Sequence, residues 1–324
     1  MDTKADTSAR SPRRPDALGV HSLDRFVFSV PELGAAERFY EAFGLDVRRD
    51  GNRLDLYAHS HPHCWGSVHA NGQPKRLQYL CFGAYEEDFD PLARRIRAYG
   101  SCAPHPLSDG KGIWLRDPDG TPVQVVVAPK VSPSVKAQPG LAPPVAAGKG
   151  AAPSRSAAPR VKPRRLAHVL LFTPDVPRLL AFYTDVLGLR LSDRSGDIIA
   201  FMHAPHGSEH HLVAFAKSGA PGLHHSSWDV GSIDDIGLGA EYMRAQGYAR
   251  GWGVGRHVLG SNYFYYVQDP WESWTEYSFD IDFVPVDVDW PAADHPAEDS
   301  FYVWWPSVPD DFVINREQPI PVPA

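Results

Sequence analysis

The sequence has few cysteines and no long hydrophobic run. Cys64, Cys81 and Cys102 are odd in number, widely spaced and confined to the first half of the 324 residues, which excludes a disulfide framework and predicts a reducing, cytoplasmic location. No stretch of about 18 uncharged apolar residues occurs, so we expect no transmembrane helix and no membrane partner. Residues 1–17 lack the apolar core of a secretory signal peptide, so we expect none.

An excess of positive charge is also missing. Lys and Arg number 32 against 39 Asp and Glu, which gives a formal net charge of −7. This balance argues against a nucleic-acid binder that relies on a basic surface. Hydrophobic residues at 43% and charged residues at 22% are ordinary values for a folded protein, and they exclude wholesale disorder. The count that stands out is 15 histidines, which are clustered rather than scattered.

Composition divides the chain into five segments, and its length fits two domains of about 150 residues each. Residues 131–163 contain seven prolines, five basic residues and no acidic residue. This predicts a linker, because such a stretch buries too little apolar surface to fold. Residues 1–17 are polar and are expected to be disordered, while residues 18–130 and 164–284 are predicted to be folded modules. Residues 285–324 form an irregular, Trp- and Pro-rich tail, for which a cover over the site and a subunit contact are both open.

The two modules repeat one another. The first contains LDRFVFSVPEL and then AAERFYEAFGLDV, and the second contains LAHVLLFTPDV and then PRLLAFYTDVLGLRL. Each pair reads as a strand, a Pro-acid turn that caps a helix, and a Gly-Leu exit. Each module also ends in a strand, an Asp-Pro turn and a strand, so that Asp117 precedes Gln124 by seven residues and Asp269 precedes Glu276 by seven. The repeats predict an α+β fold of paired βαβββ units around curved sheets.

Equivalent positions of the two repeats carry different side chains. In the first module we match Asp24, Tyr79 and Gln124 to three ligand-type positions of the second, which are His168, either His224 or His225, and Glu276. Two imidazoles and one carboxylate on three strands describe the facial triad that holds ferrous iron with open coordination positions. Each residue taken alone is more simply a buried core or strand residue, but their coincidence in the repeat favours ligands. We expect no metal in the first module.

Three further spacings accompany this set. His211 lies fourteen residues before His225, His257 lies nine before Tyr266, and Tyr266 lies ten before Glu276. With the triad, these spacings resemble the catalytic module of type I extradiol ring-cleavage dioxygenases, in the vicinal oxygen chelate superfamily. Residues 18–284 as a whole resemble the family's layout of two tandem vicinal-oxygen-chelate modules, of which the N-terminal one is non-catalytic.

The resemblance also selects between the neighbouring histidines. Neighbouring strand residues point to opposite faces, so the residues alone leave the choice open. In the family the second ligand is followed three residues later by an aromatic or apolar residue, and Trp228 stands at that offset from His225. The metal ligands that the resemblance implies are therefore His168, His225 and Glu276.

The resemblance implies a function as well. The expected activity is extradiol (meta) cleavage of a substituted catechol with O2 and Fe(II), in aromatic degradation, to a muconic-semialdehyde-type product. Mn(II) fits the same ligand set. His211 is expected to move the substrate proton, while His257 and Tyr266 hydrogen-bond the catecholate oxygens. The resemblance also implies a homo-oligomer.

Three further residues are candidates for substrate contact. His203 lies eight residues before His211, and Trp252 and Arg256 precede His257. Arg256 suits a carboxylate on the ring. A polar loop histidine and a surface arginine are equally fair interpretations of His203 and Arg256.

Two alternative functions remain at this point. Glyoxalase-, epimerase- or thiol-transferase-like relatives use the same scaffold, but they generally draw metal ligands from both modules. A non-catalytic protein that binds an aromatic ligand or a metal is the other alternative. The combination of His211, His257 and Tyr266 with the triad disfavours both.

Overall fold

The structure is a computed structural model that describes residues 13–59, 61–140, 145–304 and 307–317. Most of the segment predicted to be disordered, residues 1–12, lies outside this range. From Arg13 the chain contacts the folded part: the Arg13 Nε donates to Asp88 Oδ2 at 2.9 Å, and the backbone N–H of Arg14 donates to His206 Nδ1 at 3.2 Å.

The first module consists of one sheet and two helices. Its helices are α1 (Leu33–Phe43) and α2 (Glu86–Tyr99). Its strands are β1 (Ser22–Val30), β2 (Asp46–Asp50), β3 (Arg53–Tyr57), β4 (Cys64–Ala70), β5 (Arg76–Ala84), β6 (Ile113–Arg116) and β7 (Pro122–Val127). They form a seven-stranded sheet in the order β2-β3-β4-β1-β5-β7-β6. The central pair β1–β5 is antiparallel, and β4 and β7 add to it in parallel.

The second module repeats this plan and extends it with strands from the tail. Its helices are α3 (Val176–Asp185) and α4 (Ile233–Ala245). Its strands are β8 (Arg165–Thr173), β9 (Arg190–Ser195), β10 (Ile199–His203), β11 (Ser208–Glu209), β12 (Val213–Lys217), β13 (Gly222–Asp229), β14 (Gly251–His257), β15 (Tyr263–Gln268), β16 (Trp274–Phe279), β17 (Phe283–Val284), β18 (Ala293–Asp294) and β19 (Tyr302–Trp304). Ten of them form a sheet in the order β18-β9-β10-β12-β8-β13-β16-β15-β14-β19, and β11 pairs with β17. The α+β fold with tandem repeated modules is confirmed.

Local sequence signals begin the equivalent helices of the two repeats. The Glu32 carboxylate accepts hydrogen bonds from the N–H groups of Gly34 and Ala35 at 2.6 and 2.9 Å. The Asp175 carboxylate accepts one from the N–H of Arg178 at 3.0 Å. Each acid follows a proline and satisfies N–H groups that the first helical turn leaves without a partner. The predicted Pro-acid turns therefore start α1 and α3.

The two modules share one hydrophobic core. The Phe43 and Tyr277 rings stack with centroids 3.9 Å apart, and the Tyr277 hydroxyl donates to the Phe43 carbonyl at 2.8 Å. A buried ion pair joins Lys75 of the first module to Asp269 of the second. Because the core runs across both modules, the division of the chain into separate domains stays a prediction.

The segment predicted as a linker lies against both modules. The N–H groups of Val131 and Ser132 both donate to Ser22 Oγ at 3.0 Å, and the N–H of Gly140 donates to the Gly231 carbonyl at 2.6 Å. Residues 141–144 lie outside the described part of the chain.

The C-terminal tail packs on the second module. β18 pairs with β9, β19 pairs with β14, and Phe312 belongs to a buried aromatic cluster with Trp252 and Tyr266. Part of the Trp-rich motif, residues 305–306, lies outside the described range. Across the residues that are described, no helix combines the length and the apolar character that crossing a membrane requires.

Candidate metal centre

Three buried side chains meet on neighbouring strands of the second module. His168 is in the middle of β8, His225 is in β13 and Glu276 is in β16, and β13 lies between the other two strands. The strand β13 has an irregularity between Leu223 and His225. We call these three residues the His-His-Glu cluster.

The ligand atoms of the His-His-Glu cluster form a nearly equilateral triangle. The Nε2 atoms of His168 and His225 are 3.3 Å apart, and they lie 3.3 and 3.5 Å from Glu276 Oε2. Three atoms with these separations can all lie about 2.1 Å from a single divalent ion. Two imidazoles and one carboxylate on one side of an ion leave other coordination positions open.

The charges of the cluster suit a metal ligand set. Burial opposes ionisation of Glu276, but the neighbouring His168 and His257 imidazoles hold the pKa of Glu276 below its ordinary value. Burial, with the neighbouring imidazoles, lowers the pKa of His225 well below its ordinary value. An ionised carboxylate and a neutral imidazole are the forms that bind metal.

Unpaired buried atoms also fit a metal. Glu276 Oε2 has no hydrogen-bond partner among the described residues, and neither does His168 Nδ1. A buried carboxylate oxygen without a donor is costly. Because the same oxygen is a corner of the triangle, the residues present fit a bound divalent cation.

The neighbouring histidines of β13 have different surroundings. The His224 ring lies 4.9 and 4.7 Å from the Phe172 and Phe312 rings, and its Nε2 donates to the Phe312 carbonyl at 2.7 Å. Of this pair, only His225 contributes to the cluster of potential ligands in the described residues.

A cavity of about 310 Å³ opens onto the cluster. Its wall is mostly apolar and includes Leu170, Ile199, Phe201 and Leu259. A concave, largely apolar pocket with a few convergent polar groups is typical of a small-molecule site. The structure places six of the predicted site residues on its wall: His168, His211, His225, His257, Tyr266 and Glu276.

His211 lies beside the cluster. Its ring centroid is 4.0 Å from that of His168, and its Nδ1 is 3.0 Å from His210 Nδ1. Burial, with the charge of His168 and other imidazoles, lowers the pKa of His211 well below its ordinary value. A neutral imidazole has one nitrogen with a free lone pair, which can accept a proton.

His257 and Tyr266 form a hydrogen-bonded pair on the wall of the cavity. His257 Nε2 lies 3.0 Å from the Tyr266 hydroxyl, and His257 Nδ1 donates to the Phe301 carbonyl at 2.8 Å. Because Nδ1 carries the hydrogen of the neutral ring, Nε2 accepts from the tyrosine. Burial and the Glu276 charge raise the pKa of Tyr266 well above its ordinary value, so the phenol keeps its proton.

The three predicted substrate contacts lie elsewhere. The cavity wall, as far as the structure describes the chain, includes none of His203, Trp252 and Arg256. The His203 Nδ1 is 2.7 Å from Ser192 Oγ inside the module. The Trp252 ring stacks behind Tyr266, with centroids 5.6 Å apart.

Arg256 is held away from the cavity by its own strand pair. Its Nε donates to the Ser261 carbonyl at 3.2 Å, and its Nη1 donates to the Tyr263 hydroxyl at 3.2 Å. The expectation for His203 came from the family resemblance, and those for Trp252 and Arg256 came from their proximity to His257 in sequence. Arg256 is adjacent to His257 in β14, and adjacent strand positions face opposite sides, so this proximity did not place Arg256 in the cavity.

Strand register corrects one match between the repeats. His168 lies opposite Ser227 in the β8–β13 pair, and Arg25 lies opposite the equivalent Cys81 in the β1–β5 pair. Arg25, and not Asp24, is therefore the counterpart of His168. Asp24 falls at an irregularity of β1, between the paired residues Leu23 and Arg25. We matched Asp24 to His168 because a carboxylate is a common metal ligand, but the strand register puts Arg25 at that position.

Sequence reasoning missed several polar residues around the site. Asn262 Nδ2 donates to Glu276 Oε1 at 3.1 Å, and nothing in the sequence marked it. Asp193 Oδ2 accepts a hydrogen bond from His210 Nε2 at 2.8 Å, and His210 contacts His211. The available signal was the His-His dipeptide, which occurs twice, at residues 210–211 and 224–225.

Comparison with known proteins gives a consistent assignment. Residues 165–277 match the family model of the Glyoxalase/Bleomycin resistance protein/Dioxygenase superfamily. Metapyrocatechase 2 of Cupriavidus necator is 51% identical over 322 residues, which cover 98% of this chain and 100% of that protein.

Solved structures share the fold. The Mn(II)-bound glyoxalase from Novosphingobium aromaticivorans is 26% identical, with a TM-score of 0.69 over 88% of this chain and 91% of that chain. A mutant of homoprotocatechuate 2,3-dioxygenase from Brevibacterium fuscum is 21% identical, with a TM-score of 0.73 over 93% of this chain and 83% of that chain. With half of its residues shared with metapyrocatechase 2 along nearly the whole length, the chain belongs to the extradiol catechol dioxygenases of this superfamily.

Proposed function

We propose that the His-His-Glu cluster is the metal centre of this extradiol dioxygenase and that it holds Fe(II). The observation that carries this is the triangle of His168, His225 and Glu276 ligand atoms at the wall of an apolar cavity. When bound there, the ion supplies the positive charge that favours the catecholate and the open positions for catechol and O2. Mn(II) is the alternative ion, since the similar glyoxalase structure is described as Mn(II)-bound.

The residues around the cluster divide the handling of protons. His211 accepts the proton of one catechol hydroxyl at its Nε2 and returns it, as the ring opens, to an oxygen atom that comes from O2. Such positioned acid–base groups typically contribute about 10²–10⁴-fold in rate. The Tyr266 hydroxyl and His257 orient the second catechol oxygen. Both atoms of O2 enter a ring-opened product of the muconic-semialdehyde type.

The cavity favours an apolar ring substituent. Its wall is mostly aliphatic and aromatic, and Arg256, the predicted partner of a ring carboxylate, lies outside it. Lys217 is on the wall, but its ammonium group already pairs with Asp197. A buried carboxylate without a paired cation is costly. We therefore propose that alkyl- or aryl-substituted catechols are better substrates than catechol carboxylates, which a comparison of kcat/KM values for the two classes tests.

The first module argues against a shared metal site. Arg25, Tyr79 and Gln124 stand at the positions equivalent to the cluster. A guanidinium stays protonated and has no lone pair for a metal. The glyoxalase-like alternative requires metal ligands from both modules, and these three positions of the first module do not supply such a set.

Reconstitution tests the proposed function. Metal-free protein is loaded with Fe(II), and separately with Mn(II), without oxygen, and then receives a substituted catechol and O2. We expect consumption of one O2 per catechol and a yellow ring-fission absorbance, and we expect both to be absent in His168→Phe. His63→Phe, in the first module, is the matched control and is expected to behave like the unchanged protein. A loaded protein that takes up no oxygen contradicts the proposal.

We further propose a cytoplasmic homo-oligomer. The three cysteines are free, as a reducing compartment allows. Exposed apolar side chains occur in the tail, where Val303 and Val313 are 60% and 59% exposed. Light scattering coupled to size-exclusion chromatography measures the assembly, and a monomer at micromolar concentration contradicts it.

A further inference from the structure

A chain of hydrogen bonds connects the C-terminal tail to the His-His-Glu cluster. The Phe312 carbonyl lies 2.7 Å from His224 Nε2. His224 Nδ1 lies 2.6 Å from His225 Nδ1, and His225 Nε2 faces His168 Nε2 at 3.3 Å. The side chains of His168, His224, His225 and Phe312 are all almost completely buried.

The Phe312 carbonyl, at one end of this series of contacts, determines which ring nitrogens of His224 and His225 carry a hydrogen. A carbonyl oxygen only accepts, so His224 Nε2 must carry a hydrogen. A neutral His224 then has a bare Nδ1, and the short contact requires His225 Nδ1 to carry the hydrogen between the two rings. His225 Nε2 is left with its lone pair, which faces the cluster.

The opposite arrangement is unfavourable. It requires His224 to be an imidazolium, with hydrogens on both nitrogens, and it puts a hydrogen on His225 Nε2. The His224 ring is buried against Phe172 and Phe312, and such apolar surroundings strongly disfavour an unpaired charge. The first arrangement is therefore the stable one.

We propose that His224 is a positioning residue that fixes the tautomer and orientation of His225, and that the Phe312 carbonyl of the tail anchors it. This inference rests on the proposed ligand role of His225. The tail then acts on the metal site through backbone and imidazole, without touching the ion.

The two proposed imidazole ligands differ in the hydrogen bonding of their Nδ1 atoms. His168 Nδ1 has no hydrogen-bond partner among the described residues, whereas His225 Nδ1 is held by His224. Loss of a hydrogen-bond partner of a metal ligand typically costs about 10–100-fold in metal affinity. Affinity should therefore depend on the acceptor atom at residue 224.

Paired substitutions test the acceptor. His224→Phe keeps a ring of similar size and removes Nδ1, while His224→Asn keeps an acceptor oxygen near the Nδ1 position. We expect His224→Phe to weaken Zn(II) and Mn(II) binding, in competition titrations, by about 10–100-fold, and we expect His224→Asn to recover most of it. His21→Phe is the control, because His21 is also buried on a backbone carbonyl, that of Ala128 at 3.1 Å. Equal affinities in His224→Phe and the unchanged protein overturn the proposal.

A second measurement does not depend on the variants folding. In protein labelled with 15N-histidine and loaded with Zn(II), NMR distinguishes a protonated Nδ1 from a protonated Nε2. The expected result is a hydrogen on His225 Nδ1 and on His224 Nε2, and a hydrogen on His224 Nδ1 overturns the proposal. Neither readout uses catalysis. Failure of ring cleavage in the loaded enzyme therefore counts against the proposed function alone.

Discussion

Single side chains around the cavity differ in what they contact, and this gives them different effects on activity. The His211 ring lies 4.0 Å from the His168 ring, tilted against it, but His211 is not part of the triangle of ligand atoms. Its Nδ1 faces His210, and the carboxylate of Asp193 accepts from His210 in turn. The proposed proton transfer by His211 can therefore be tested separately from metal binding.

A His211→Phe substitution tests that separation. Phenylalanine keeps the ring and its packing against Phe201 and removes both nitrogens. We expect metal affinity and catechol binding to persist, while kcat falls by about 10²–10⁴-fold. Metal analysis, a binding titration without oxygen, and oxygen uptake measure the three quantities. His210→Phe removes only the partner nitrogen and should cost less. Unchanged turnover in His211→Phe contradicts its role in proton transfer.

At the scale of elements, one carboxylate docks the tail on the second module. Asp193 of β9 accepts hydrogen bonds from the backbone N–H of Ala293 at 3.0 Å, from His295 Nε2 at 2.9 Å and from His210 Nε2 at 2.8 Å. Burial opposes ionisation of Asp193, but the hydrogen bonds from His210 and His295 hold its pKa below the ordinary value.

We expect Asp193→Asn to loosen the tail. A carboxyl group whose pKa is lower in the folded state adds stability above its unfolded pKa of about 3.9 and loses it as the pH falls through the folded value. The variant should therefore be less stable than the unchanged protein at neutral pH, with the difference shrinking below about pH 4. Denaturant unfolding measures the stability, and hydrogen exchange of residues 290–297 measures the docking. Asp197→Asn, on the exposed turn after β9, is the control, and equal exchange in both variants contradicts the prediction.

The Asp-Pro turns of the two modules have the same backbone hydrogen bonds, but their aspartates differ in whether a cation pairs with them. Asp117 Oδ1 accepts from the N–H groups of Asp119 and Thr121 at 3.0 and 2.9 Å. Asp269 Oδ1 accepts from two N–H groups in the same way, and its other oxygen pairs with Lys75. No cation pairs with Asp117 among the described residues, and burial raises its pKa to about 7.

This raised pKa predicts a stabilising substitution. Between about pH 4 and pH 7 the folded protein holds a proton on Asp117 that the unfolded chain releases, so this group costs stability as the pH rises. Asp117→Asn keeps the acceptor for the turn and removes the cost. We expect its advantage to grow from about pH 5 to pH 8, up to a few kcal/mol, since one pKa unit is about 1.4 kcal/mol. A constant difference across this range in thermal or urea unfolding contradicts the prediction.

At the scale of the whole molecule, polar and aromatic contacts join the modules across a common core. Lys75 precedes β5 of the first module, and Asp269 lies in the turn before β16 of the second, which carries Glu276. Both side chains are buried. The ion pair therefore links the first module to the turn that leads into β16, the strand that carries Glu276.

We expect Lys75→Met to destabilise the protein by about 3–5 kcal/mol, because it leaves the Asp269 charge buried without its partner. The double variant Lys75→Met/Asp269→Asn removes both charges and keeps the turn acceptor, so it should recover much of the loss. Denaturant unfolding of the three proteins measures this. If the single and double variants are equally unstable, the pair contributes packing and not charge compensation.

Much of the candidate site followed from the repeat and its spacings. His168, His225 and Glu276 come together in the structure, and His211, His257 and Tyr266 line the same cavity. The sequence did not predict residues whose role depends on contacts with distant parts of the chain. His224 depends on a carbonyl 88 residues away, and Asp193 depends on His295, which is 102 residues away.

By itself the sequence determined the elements and the ligand chemistry. The Pro-acid caps, the apolar periodicity and the two repeats are local signals, because a helix or strand depends mainly on residues a few positions apart. Aligning the two repeats at their Pro-acid turns already makes Arg25, and not Asp24, the counterpart of His168. Tertiary structure decided that Arg256 lies outside the cavity and that the tail reaches His224. These outcomes depend on strand register and on contacts between distant segments, which hydrogen bonding in the assembled sheet determines and no local pattern encodes.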